Sequence, residues 1–102
     1  MFIGKVTGSV VASQKIDSVI GSKLLLIAAM TVKGDAQGEL VETGRVAVAI
    51  DTLGAGQGDV VLVTQGSSAR LTASTKNLPA DAVVVGIIDQ IEAGTKTIFK
   101  KS

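Results

Sequence analysis

The chain predicts an all-β fold, a small barrel or sandwich. Turn signals recur along its length, with 12 glycines among 102 residues. The segments between them are short and rich in Val, Ile and Leu, residues that suit a pleated, half-buried surface. One short stretch alone reads as helix.

The first segment, "MFIGKVTGSVVAS", alternates along its length. Phe2, Val6 and Val10 fall on one face with Gly4 and Gly8 between them, and Lys5, Thr7 and Ser9 fall on the other. Glycine inside a strand marks a bend or a close approach of backbones, as at a barrel corner. The second and third strands, "KLLLIAAMTV" (23–32) and "RVAVAI" (45–50), are joined by the polar "KGDAQGELVETG" and predict a hairpin with a long tip. In the third, Val46, Val48 and Ile50 occupy one face and Ala47 and Ala49 the other. "DVVLVTQ" (59–65) is the fourth strand, "DAVVVGIIDQI" (81–91) the fifth, and "TKTIFK" (95–100), after the turn at Gly94, a short tail strand. Between the fourth and fifth, "SSARLTASTKN" predicts a helix of about two turns, with Ser67 as N-cap and Pro79 beyond its end.

A chain of this length is one domain with a single core. Its longest apolar run, Leu24 to Met30, is too short to cross a bilayer. With no signal-peptide n-region and no cysteine, a cytoplasmic address is expected. The formal net charge of +1 supplies no general field for a polyanion. Without His or Cys, neither a zinc site of the usual N/S type, nor a Ser-His-Asp triad, nor a thiol nucleophile can be built.

"DTLGAGQGD" (51–59) has the look of a phosphate-binding loop, with Gly54, Gly56 and Gly58 between two carboxylates. A dinucleotide loop needs a third glycine one position later and a helix after it, yet a strand, "VVLV", follows here. A P-loop needs Lys-Ser or Lys-Thr after the last glycine, and neither is present. The loop therefore reads as backbone geometry: glycine permits positive φ and close backbone approach. Ser67 and Ser68 read as a cap and a turn, Asp89 and Glu92 as solvated edge charges, and Lys96, Lys100 and Lys101 as charges guarding an edge strand. Several strands are apolar on both faces. One face fills the barrel, and the other is expected to be covered by neighbouring subunits.

Three motifs in order, "VAVAIDTLGAGQGD", "GSSAR" (66–70) and "PADAVVVGIID" (79–89), together with "GKVTGSVVASQK" and "KLLLI", resemble the EutN/CcmL family of bacterial microcompartment vertex proteins over nearly the whole chain. The resemblance implies a closed antiparallel β-barrel of OB-like topology. It also implies a homopentamer that caps the five-fold vertices of a polyhedral shell, a structural role without catalysis or cofactor, and hexameric shell proteins as neighbours. Carried over residue by residue, it puts Asp51, Thr52, Gly54, Ala55, Gly56, Gly58 and Asp59, with Gly66, Ser67, Ser68, Ala69 and Arg70, near the five-fold axis or the subunit interface. There Arg70 is expected to pair with Asp51, Asp59 or Asp81. Where some relatives carry an aromatic residue after the acidic position that closes the glycine loop, this chain has Val60.

Two readings from other classes compete. An OB-type nucleic-acid module stacks bases on aromatics in a basic groove; two Phe, no Tyr, no Trp and a charge of +1 argue against it. A small-ligand module would use the 54–59 loop and Asp51, in its surviving form as a magnesium or calcium site of Asp51, Asp59 and Asp81. A six-membered ring, suited to a facet, is a third possibility within the family.

Overall fold

A computed structural model describes residues 1–12, 23–33, 38–66 and 82–101. Within them run seven strands: β1 (Phe2–Val10), β2 (Lys23–Val32), β3 (Leu40–Asp51), β4 (Val60–Gln65), β5 (Ala82–Ile87), β6 (Gln90–Ala93) and β7 (Lys96–Lys100). The predicted helix over 67–77 lies outside the described residues.

Five strands close a barrel in the order β1-β2-β3-β5-β4, and β6 and β7 form a separate two-stranded sheet. This is the five-stranded Greek-key order of an OB-like barrel. The antiparallel expectation holds for every neighbouring pair but one: β3 and β5 run parallel, with Ile50 opposite Val83. Parity requires this, because an odd number of strands closed into a ring cannot alternate direction throughout.

Two element boundaries differ from expectation. The third strand starts at Leu40, so part of the predicted hairpin tip is ladder, pairing Met30, Thr31 and Val32 with Glu42, Val41 and Leu40. The chain hides this by a bulge. Ala28 pairs with Val46 but Met30 pairs with Glu42, leaving Thr43, Gly44 and Arg45 opposite the single Ala29 and breaking the alternation. Thr43 Oγ1 fixes the bulge, donating to Ala29 O at 3.0 Å and accepting from the Arg45 amide at 3.1 Å. The predicted strand 81–91 is split. Ile88 still donates to Val60 O, but Val60 is the first residue of β4, so beyond it β5 has no partner. The chain then turns into β6, and Asp89 O accepts from the Lys101 amide.

The barrel core joins Val6, Leu25, Ile27, Ala49, Val61, Val63 and Val84 among others. Its packing explains the large–small alternation of β3. Leu25 and Ile27 of β2 face Ala49 and Ala47 across the ladder, so the alanines point inward opposite large partners. Gly4 of β1 completes the fit, since a Cβ there would overlap Ile27 Cγ2. The larger residues of β3 turn outward. Ile50 is covered together with Val83, Leu24 and Val85, whereas Val46 and Val48 stay 63% and 48% exposed.

Candidate functional site

β3 ends at Asp51, whose carboxylate is 4% exposed. Its Oδ1 accepts the Leu53 amide at 2.9 Å and its Oδ2 the Ala55 amide at 2.8 Å, so one side chain organises the first half of the loop. Asp59 organises the second half. Its Oδ2 accepts the Gly56 amide at 2.8 Å, and its own amide donates to Gly56 O at 3.0 Å. Gly54 and Gly58 take φ of 85° and 91°, a region that side chains with a Cβ rarely adopt.

Between the two carboxylates the chain dips into the barrel. Ala55 is completely buried and belongs to the main core, plugging one end of it. Lys23, which faces Asp51 across the β2–β3 ladder, reaches over the plug and donates from Nζ to Ala55 O at 2.6 Å. The Gly58 amide donates to Val6 O at 2.8 Å and Val6 donates to Asp59 O at 2.9 Å, continuing the β1–β4 pairing into the loop. A cleft of about 160 Å³ lies beside the plug, bordered by Gly8, Ser9, Lys23 and Gln57.

An anion cradle needs backbone amides that point at empty space. In this loop the amides of Leu53, Ala55, Gly56 and Gly58 are already donated to Asp51, Asp59 and Val6. The loop is a stopper, held by both carboxylate oxygens of Asp51 and by Oδ2 of Asp59.

Of the sequence-derived site residues, the structure brings Asp51, Thr52, Gly54, Ala55, Gly56, Gly58 and Asp59 together in this stopper, with Thr52, Gly54 and Gly58 exposed. Gly66, with φ of 66°, follows β4. Ser67, Ser68, Ala69, Arg70 and Asp81 lie outside the described residues. Lys23 and Lys101 are the members that sequence reasoning missed. Lys101 Nζ stands 4.0 Å from Asp59 Oδ1. No local signal marks either, because only the strand register and the returning tail bring them to the loop.

The stopper, the five-stranded closure and the strand that follows the glycines can now be set beside known proteins. The model of the family described as "Ethanolamine utilisation protein EutN/carboxysome" (EutN_CcmL) matches residues 1–89. The chain belongs to the EutN/CcmL family. It is 44% identical to the bacterial microcompartment shell vertex protein GrpN of Rhodospirillum rubrum, over 90% of this chain and 97% of that one. The solved structure of the GrpN pentameric microcompartment shell protein superposes with a TM-score of 0.77 at 42% identity, covering 92% of this chain and all of the other. The structure of Gloeobacter violaceus CcmL superposes with a TM-score of 0.83 at 40% identity, covering 99% and 98%. These EutN/CcmL relatives are matched over nine-tenths or more of the chain.

Proposed function

We propose that this chain is a structural shell protein of a bacterial microcompartment, not an enzyme, and that it works as a homopentamer capping the vertices of the shell within the cytoplasm. The observation that carries this reading is the match of 92% of the chain to a pentameric shell protein at 42% identity. The glycine loop agrees with it, since the amides of Leu53, Ala55 and Gly56 are donated to the loop's own carboxylates rather than offered to a ligand.

Three finer points belong to the same proposal. The neighbours of the pentamer are hexameric shell proteins on the facets, and neither nucleic acid nor membrane takes part. The exposed side of the loop, Thr52, Gly54 and Gly58 with Gly56 and Asp59, faces the five-fold axis or the subunit interface together with Gly66, Ser67, Ser68, Ala69 and Arg70, while Asp51 and Ala55 brace it from within. Arg70 pairs with Asp51, Asp59 or Asp81. The partly exposed carboxylate of Asp59 supports that pairing better than the buried one of Asp51.

Native mass spectrometry tests the reading. Five copies of 10.3 kDa give 5 × 10.3 = 51.5 kDa, the expected mass. A six-copy ring would move the protein from vertex to facet, and a 10.3 kDa monomer at micromolar concentration would overturn the proposal. An Arg70→Ala variant that assembles as well as its parent would remove the ion pair.

A further inference from the structure

We propose that the outer face of the β2–β3 ladder, carried by Leu26, Val46 and Val48, is one half of the contact between neighbouring copies of this chain. The inference rests on the pentameric reading above and assigns it a surface. Leu26 faces Val48 across the ladder and Ala28 faces Val46, so these four side chains lie side by side on the face turned away from the barrel. Among the described residues, Val46 and Val48 are two of the few large apolar side chains left open, and their pairing with Ala28 and Leu26 of β2 fixes their positions before any partner arrives, while β3 meets β5 only further along, at Ile50 and Asp51. Toward Asp51 the same face is already closed, over Ile50 and Val83. Toward the other end it runs into a cleft of about 210 Å³ bordered by Phe2, Met30, Thr43, Arg45, Val46 and Gln65. An apolar ridge beside a hollow suits a protruding side chain of another protein surface.

The occupant is a second copy of the chain. The patch is aliphatic, and among the described residues Arg45 is the one charged side chain bordering the cleft, so it offers little to a polyanion or to a strongly charged partner. The relative aligned over 92% of this chain is a pentameric shell protein, and copies of one chain in a closed assembly meet as a ring. A closed ring is joined head to tail, so the face meets a different patch of its neighbour rather than itself.

The absence of native cysteine makes a direct test possible. A Val48→Cys variant carries a single thiol, and a Thr97→Cys variant on exposed β7 serves as reference. With the protein assembled and kept reduced, a maleimide should label the Val48→Cys thiol at least about tenfold more slowly than the reference. The difference should vanish when mild denaturant dissociates the ring. A Val48→Lys variant should run as a folded monomer by native mass and circular dichroism. If that variant does not fold, the thiol comparison decides alone. Equal labelling in an intact pentamer overturns the proposal and leaves the vertex reading standing. So does protection that appears only after a facet shell protein is added, or a Val48→Lys protein that remains pentameric. A wild-type chain that is monomeric overturns the vertex reading first, and this proposal with it.

Discussion

Replacing Asp51 by Ala should cost about 3 kcal/mol of stability, more than its position at the edge of a loop suggests. Its carboxylate accepts two backbone amides, at 2.9 Å from Leu53 and 2.8 Å from Ala55. Hydrogen bonds to a charged group contribute about 1.5–3 kcal/mol each. The two differ in what happens after the deletion. Ala55 is fully buried, so its amide is left without water or partner and carries most of the penalty, roughly 2 kcal/mol. Leu53 is half exposed, so water can replace the lost acceptor and the remaining cost is about 1 kcal/mol. For a domain of this size the sum lowers the melting temperature by roughly 12 °C or more. Asp51→Asn should recover less than half, since its amide keeps one acceptor oxygen and turns an NH2 group toward an N–H donor. The assay is thermal and urea unfolding followed by circular dichroism, at equal protomer concentration because assembly adds stability by mass action. A loss under about 1 kcal/mol for Asp51→Ala would refute the claim that this side chain holds the loop.

The three loop glycines should respond differently to alanine. Gly54 and Gly58 have positive φ, so Gly54→Ala and Gly58→Ala should each cost about 1–2 kcal/mol in urea unfolding. Gly56 does not, and its added Cβ would lie 3.9 Å from Asp59 Oδ2, an ordinary contact, so Gly56→Ala should change stability by less than about 0.5 kcal/mol. Equal losses at all three would contradict the backbone account. Ala55→Leu should destabilise by about 1–3 kcal/mol through overpacking, because Ala55 has no free surface and shares its space with Val6, Leu25 and Val61. A melting temperature equal to the parent's would mean that the plug is not seated in the core.

Much of the fold was legible because strand alternation is local. In β1 the period of two put Phe2 and Val6 on one face, and the structure turns that face inward. That a strand and not a helix follows the glycines was legible for a similar reason: "VVLV" is a run of β-favouring residues, and β4 begins there. The family was legible because three motifs agreed in order, whereas the start of β3 was not, because the Thr43–Arg45 bulge interrupts the period that would have revealed it. The break between β5 and β6 was equally silent, since "VVVGIIDQI" is continuously apolar up to Asp89 and the strand ends only where β4 stops offering a partner.

Composition by itself removed the usual catalytic and zinc-binding kits, and periodicity by itself set out the strands and gave β3 an alanine face and a valine face. It could not say which face of β3 is inside. A period of two defines two faces and is symmetric between them, so the choice waits for closure, when Leu25 and Ile27 arrive opposite Ala49 and Ala47 and leave no room for valine. The loop follows the same logic. Its glycines announced unusual backbone, but the burial of Ala55, the two amides on Asp51 and the reach of Lys23 exist only once β2 lies beside β3 and the barrel has an end to plug.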